Sequence, residues 1–360
     1  MKKVAVIGTV GVPANYGGFE SLVENLVGDQ SSSLVDYTVF CSSKAYKTKL
    51  DKYKNANLKY IALNANGIQS IPYDIISLFN AIKYDVVLVL CVYGCCCLPI
   101  YRLLFPRKRL IINIDGLEHR RDKWGRWTRC FLKFSEKMAV KYADVIITDN
   151  KGIQNYVLEE YGKQSEMIAY GGDHSIAVQR DVHEQEQILH KYHLNKSEYA
   201  ISVCRIEPEN NCHITLEAFA QTGDSLVFIG NWDKSDYGVA LKEKYSKVSN
   251  ITILNPIYDI DILYALRSNA AMYIHGHSAG GTNPSLVEAM FFGIPIISYD
   301  VIYNRETTHN KAFYFKDVDE LKCLLQNKSL DFIANAVAMK QMAEKYYTWA
   351  DIVRQYEAVY

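Results

Sequence analysis

Short apolar runs rich in Val and Ile alternate along this chain with longer stretches in which apolar residues recur at three- and four-residue spacing. The short runs fit strands buried on both faces and the longer stretches fit helices with one buried stripe, so the alternation predicts βαβ units around parallel sheets. In the first half the strands fall at 4–7, 37–41, 58–63, 86–91, 110–114, 145–148 and 167–169, with helices between several of them, for example 19–26 and 131–142. The pattern restarts with strands at 200–204, 226–229, 251–254, 271–275, 294–298 and 312–315. An α/β chain of two doubly wound, Rossmann-like domains is expected, the first at 1–171 and the second at 172–343. Paired glycines in Tyr170-Gly171-Gly172-Asp173 suit a hinge. The aromatic, helically spaced segment 344–360 is expected to pack back toward the first domain.

Composition agrees with that division. The 360 residues exceed one ordinary domain and allow two of roughly 150 to 180 residues. A hydrophobic share of 49% with 22% charged residues is globular usage and excludes a disordered or fibrous chain. Lys plus Arg and Asp plus Glu number 40 each, so no global field steers the chain to nucleic acid, and any basic surface must be local. The nine cysteines include Cys91, Cys95, Cys96 and Cys97 but show no paired C-x2-C spacing, so they read as reduced packing thiols rather than a zinc site. The apolar run after Met1-Lys2-Lys3 stops at Gly8, too soon for a signal-peptide core. The apolar segment 86–101 is interrupted by Gly94 and Pro99 and falls short of the about 20 residues that span a bilayer. A cytoplasmic location is expected.

Doubly wound sheets bind ligands beyond the carboxyl ends of their strands, which selects the loops to inspect. The loop after the first strand lacks G-x-G-x-x-G, which disfavours a nicotinamide site. Gly17 and Gly18 open a helix whose free N–H groups and dipole favour an anion or sugar hydroxyls, a plain tight turn being the alternative. In the second half HGHSAGGTNPSLVEAM, 275–290, follows a strand and opens a helix. Asn283 suits the N-cap, Pro284 the first helical position, and Gly293 with Pro295 the end. The N–H groups of Ser285 and Leu286 would face a diphosphate, and Glu288, one turn in, would accept hydrogen bonds from ribose hydroxyls, a solvated helix residue being the alternative. Arg205, closing the strand at 200–204, could neutralise a leaving diphosphate or form an inter-domain salt bridge. Together these residues describe a nucleotide diphosphate site.

The stretches 11–20 (GVPANYGGFE), 115–118 (DGLE), 205–211 and 280–288 carry a resemblance that spans essentially the whole chain. It resembles the retaining, two-Rossmann-domain (GT-B) glycosyltransferases of family four, and within them the rhamnosyltransferase-like subgroup of capsule and O-antigen synthesis. The resemblance implies a nucleotide sugar, dTDP-rhamnose in that subgroup, held by the second domain, with Gly17, Gly18, Arg205, Asn210, His277, Gly281, Thr282, Asn283, Ser285, Leu286 and Glu288 as donor contacts. It implies an acceptor on the first domain near Tyr16, Glu20, Asp115, Glu118 and His119, and chemistry in the cleft. Retention would proceed by front-face attack, the leaving phosphate helping to take the acceptor proton. No protein nucleophile, no metal and no cofactor beyond the sugar-nucleotide co-substrate are then required. Asp115 and Glu118, ahead of His119, are the residues to orient or deprotonate the acceptor hydroxyl, with Arg205 as the catalytic cation; capping or salt-bridging the basic helix that follows is the alternative for the two carboxylates. Two positions depart from the family. Its glutamate eight residues before Glu288 is Gly280 here, leaving the sugar to neighbours such as Ser278, Gly281 and Thr282. Its phosphate lysine, five positions after Arg205, is Asn210.

Two D-x-D matches, at Asp259 and Asp261 and at Asp317 and Asp319, precede helical runs and read as caps rather than a metal-diphosphate site. Between 120 and 134, cations alternate with Trp124, Trp127, Phe131 and Phe134, an interfacial pattern that would dock the first domain on an anionic membrane beside a lipid-diphosphate-linked acceptor. A half-buried helix with solvated charges is the alternative there. UDP-hexoses fit the same scaffold, and a nucleotide-sugar epimerase or a catalytically silent sugar-binding subunit would show much of the same pattern.

Overall fold

The computed structural model describes residues 1–360 except 15–16, 29, 115, 122–123 and 178–180. The chain forms two units, Met1–Tyr170 with Trp349–Tyr360, and Gly171–Thr348. In the first, eight strands form one sheet: β1 (Lys2–Ile7), β2 (Val35–Ser42), β3 (Lys52–Tyr53), β4 (Ala56–Ile61), β5 (Val86–Leu90), β6 (Arg109–Asn113), β7 (Val145–Thr148) and β8 (Glu166–Met167). Their order is β3-β4-β2-β1-β5-β6-β7-β8, parallel throughout except for the β3–β4 hairpin. β5 is VVLVL with every residue buried, as expected of a central strand covered on both faces.

Right-handed crossovers decide which face each helix covers. The connections from β4 to β5 and onward to β8 all step the same way, so Ser70–Asn80, Leu98–Leu104, Arg126–Tyr142 and Lys151–Tyr161 share one face. Gly18–Leu26 joins β1 to β2 in the opposite direction and takes the other face, where it meets Trp349–Val359. That last helix is fixed by its aromatics. Asn113 Nδ2 donates to the Tyr356 hydroxyl at 2.7 Å, Tyr37 donates to the Tyr360 hydroxyl at 3.2 Å, and Ile352 and Val353 are buried.

The second unit has β9 (Ala200–Val203), β10 (Leu226–Ile229), β11 (Ile251–Leu254), β12 (Met272–His275), β13 (Ile296–Tyr299) and β14 (Phe313–Phe315), ordered β11-β10-β9-β12-β13-β14 and all parallel. Phe219, Phe228, Trp232 and Phe315 fill its core. The chain is thus two doubly wound Rossmann-like α/β sheets, as the alternation predicts. Strand order reverses between β1 and β5 in one sheet and between β9 and β12 in the other, which sets the crevice of each.

Three local features differ from the sequence reading. β3 is two residues long, too short to show a period, and exists through its hairpin with β4. The helix expected from 131 begins at Arg126, because its first turn, Arg-Trp-Thr-Arg, carries no apolar stripe. β8 lies at Glu166–Met167, and Ile168 continues its edge by one hydrogen bond to Thr148 O. All nine cysteines are free thiols, and burial raises Cys95 well above its ordinary value. Among the described residues no helix is long and apolar enough to cross a membrane.

Candidate functional site

The reversal in the second sheet sets the loops after β9 and β12 side by side, and the two are knitted together. A Cβ on Gly276 would lie 2.2 Å from Asn210 O, so only glycine lets the loops approach this closely. Asn211 Nδ2 donates to Gly276 O at 2.9 Å, and both the backbone N–H and the hydroxyl of Ser278 donate to Glu209 O, at 2.8 and 2.9 Å. Asn210 is 3% exposed; its Nδ2 donates to Arg205 O at 2.8 Å and its Oδ1 lies 2.6 Å from His277 Nδ1. Position 210 is therefore a neutral brace between the loops, and His277 is buried against it. Asn304, 1% exposed, completes the frame by donating to His277 O at 2.8 Å and Tyr299 O at 2.9 Å. Its contribution has no signal in the sequence, since it arises from a helix after β13.

Arg205 lies two residues past β9. Its guanidinium is 34% exposed and stands 3.6 Å from Glu207 and 3.8 Å from Glu209, inside ion-pair range but beyond hydrogen-bond length. Its donors make no side-chain hydrogen bond among the described residues, and the two carboxylates offset part of its charge.

Asn283 caps Pro284–Phe291 as expected, accepting from Ser285 N at 3.0 Å and from the Ser285 hydroxyl at 2.7 Å. The same contacts correct a second expectation. The N–H groups of Ser285 and Leu286 are not free: the first donates to Asn283 Oδ1, and the second to Asn283 O at 3.1 Å, with the Leu286 side chain fully buried. An anion at this end gains the helix dipole but has to displace the Asn283 cap to reach the Ser285 N–H. Gly281 and Thr282 are buried just before the cap.

Glu288 differs most from the sequence reading. One oxygen lies 2.7 Å from Arg267 Nη1 and the other 3.4 Å from His174 Nε2, so the carboxylate is already committed to a buried ion pair with an arginine 5% exposed. Burial alone would raise its pKa; the Arg267 charge and then His174 outweigh that and bring it down to about 2. Arg267 lies 21 positions before Glu288, a separation at which sequence gives no hint of pairing. At the end of β12, burial pushes the His275 imidazole down to about 3, and its Nε2 and the hydroxyl of its register partner Ser298 are buried without a hydrogen-bond partner among the described residues.

In the first unit, Tyr16 and Asp115 lie outside the described residues. Gly17 is the N-cap of Gly18–Leu26 at φ 131, and a Cβ there would fall 1.9 Å from Glu20 Oε2. Glu20, 8% exposed, accepts from the Thr9 hydroxyl and from Val10 N, both at 2.9 Å. A carboxylate thus already sits at this helix end, which suits hydroxyls better than an added anion. Glu118, 7% exposed, spans Arg121 at 2.9 Å, the Tyr93 hydroxyl at 3.1 Å and the Trp124 indole at 3.2 Å. It braces the turn into the basic helix. His119 Nδ1 lies 2.9 Å from Glu136, whose other oxygen accepts from the Tyr156 and Tyr161 hydroxyls at 2.6 Å each. His119 Nε2 has no hydrogen-bond partner among the described residues.

Both D-x-D matches are helix caps: Asp259 accepts from Asp261 N and Ile262 N, and Asp317 from Glu320 N. Among the described residues no group of three His, Cys, Asp or Glu side chains converges for a metal ion.

Residues 1–173 match the family described as a domain of unknown function, DUF1972, and residues 184–334 match Glycosyl transferases group 1. No curated protein matches the chain. Sucrose-phosphate synthase from Thermosynechococcus elongatus is similar in structure, with a TM-score of 0.80 at 16% identity over 100% of this chain and 98% of that one. HepE of Anabaena in complex with UDP gives 0.76 at 15% identity, covering 99% of each chain. The same protein in complex with UDP-glucose gives 0.75 at 14%, over 99% of this chain and 98% of that one. The fold is GT-B, and residues 184–334, within its second unit, are similar to the group 1 glycosyl transferases.

Proposed function

We propose that this GT-B chain is a retaining glycosyltransferase that moves L-rhamnose from dTDP-rhamnose to a lipid-diphosphate-linked saccharide acceptor in surface polysaccharide synthesis, at the inner face of the cell membrane. The observation that carries the reading is the β9/β12 reversal, where Arg205 and the capped end of Pro284–Phe291 follow the two strands that flank the crevice. Group 1 transfer places negative charge on the leaving diphosphate, and a one-third-exposed guanidinium beside a helix dipole stabilises that charge as it grows. The leaving phosphate then takes the acceptor proton. Glu288 keeps Arg267 neutralised, and a ribose hydroxyl would share that carboxylate. In the first unit the geometry favours His119 over Glu118 for the acceptor hydroxyl, since Glu118 is fully engaged while Glu136 orients His119 by one nitrogen and leaves the other.

A second donor reading has its own support. HepE binds UDP and UDP-glucose on this fold, which favours a UDP-hexose as the alternative donor. Gly280 and Asn210, standing where the family has a glutamate and a lysine, are the features that favour a silent sugar-binding subunit. Incubating the chain with dTDP-rhamnose and a lipid-diphosphate-linked saccharide, followed by NMR of the product, tests the proposal. An α-configured product from an α-configured or β from a β-configured donor supports retention; inversion, or binding without transfer to any acceptor, contradicts it.

A further inference from the structure

The helices on the two faces of the first sheet differ sharply in what they show to solvent. Gly18–Leu26 and Trp349–Val359, on one face, expose no large hydrophobic side chain among the described residues. The other face does the opposite: Leu98–Leu104 exposes Ile100, Leu103 (82%) and Leu104, and Arg126–Tyr142 exposes Trp127 (88%) and Phe134. Trp127, Cys130, Phe134, Lys137 and Lys141 are all exposed and follow three- and four-residue spacing, so they form a single outward stripe. Right-handed crossovers put both helices on this one face, making the apolar side chains parts of one surface. Isolated exposed apolar residues are ordinary, but a cluster of this kind on one face marks an interaction site.

Charge selects the partner. Arg107, Arg126, Lys137 and Lys141 are exposed and have no carboxylate partner among the described residues. Between Arg126–Tyr142 and Lys151–Tyr161 lies a groove of about 590 Å³ in which Arg129, Lys133 and Lys137 surround Phe134 and Tyr161. Glu160 is paired with Lys133 at 2.8 Å and Glu136 stands 3.7 Å from the same ammonium, which leaves Lys137 as the cation of this groove with no carboxylate partner among the described residues. Apolar side chains that reach outward between unpaired cations match the boundary between anionic headgroups and acyl chains. A second copy of the chain fits less well, because two-fold pairing of this face would press its own unpaired cations against each other.

We infer that this face docks on an anionic lipid bilayer, with Leu103, Leu104, Trp127 and Phe134 entering the headgroup boundary and Arg107, Arg126, Lys137 and Lys141 meeting the lipid phosphates. The inference rests on the lipid-linked-acceptor reading and deepens it by naming the surface and the lipid class. It adds the helix Leu98–Leu104 to the basic-aromatic segment.

Flotation of the full chain with phosphatidylglycerol-containing vesicles and with pure phosphatidylcholine vesicles tests it, alongside light scattering for oligomeric state. The wild type should float with the anionic vesicles and not with the neutral ones. Lys137→Gln with Lys141→Gln should lower the partition coefficient about 30-fold, at ~1 kcal/mol per cation near the surface. Leu103→Ser with Leu104→Ser should lower it roughly tenfold or more. Ile333→Ser with Val337→Ser, exposed apolar residues of the second unit, should leave it unchanged. Absence of flotation, equal flotation of all variants, or a dimer that the Leu103 and Leu104 substitutions dissociate would overturn the inference. Calorimetry of nucleotide-sugar binding in free solution is independent of this surface; its failure would count against the transfer reading and leave the vesicle result standing.

Discussion

Removing the Glu288 carboxylate tests whether this residue serves the fold or the donor. Arg267 is 5% exposed, its Nη1 is 2.7 Å from Glu288, and its Nε has no partner among the described residues, so Glu288→Ala strands a buried cation. Breaking a buried pair from one side costs about 3–5 kcal/mol. The acid side gives an independent value: a carboxyl lowered from 4.5 to about 2 contributes roughly 3 kcal/mol at ~1.4 kcal/mol per pH unit. Because the folded value lies below the ordinary one, this contribution is complete above about pH 4.5 and is lost as pH falls toward 2. Hydrogen exchange of the β9 and β12 amides reads opening of this unit without the other. The expected result is an opening free energy lower by about 3 kcal/mol in Glu288→Ala at pH 7, a smaller loss in Glu288→Gln, and a flattened acid slope in both. A loss under about 1 kcal/mol, or an unchanged acid slope, would refute the buried-pair account. It follows that weaker donor binding in Glu288→Ala alone does not show a ribose contact; the Gln variant has to lose affinity while keeping the fold.

Arg205→Ala should lower affinity for dTDP or UDP at least tenfold with little change in melting temperature, since its two glutamates stand 3.6 and 3.8 Å away; calorimetry and a melt on the same sample check both halves. Gly276→Ala should destabilise the second unit by about 1–3 kcal/mol, because its Cβ would meet Asn210 O at 2.2 Å, and denaturation in urea measures it. Burial alone would raise the Glu136 pKa, but hydrogen bonds from His119, Tyr156 and Tyr161 bring it below its ordinary value. Glu136→Gln should therefore remove stability that the wild type holds above about pH 4.5 and loses on acidification, and a pH series of melts shows whether the two proteins converge at low pH.

The alternation of strands and helices was legible because the central strands of both sheets carry apolar runs buried on both faces, as in VVLVL of β5 and LVFI of β10. The cap at Asn283 and both aspartate caps were legible for a similar reason: they bond within three residues, so spacing alone places them. Partnerships across the fold were not. The glutamate at 288 carries the same spacing signal whether it faces a ribose or Arg267, and only the packing of Ile260–Ser268 beside the helix decides which. Asn210 shows the same limit from the other side. Its identity flags a missing lysine, but its work as a brace depends on His277 and Asn304, which other strands bring to it.

The most direct test of the central claim is competitive calorimetry of dTDP-rhamnose and UDP-glucose on the wild-type chain and on Arg205→Ala. The account predicts that the wild type binds dTDP-rhamnose more tightly than UDP-glucose, and that Arg205→Ala loses most of that affinity. Tighter binding of UDP-glucose would move the donor to a UDP-hexose, and binding of neither would contradict the assignment of the β9/β12 crevice as a sugar-nucleotide site.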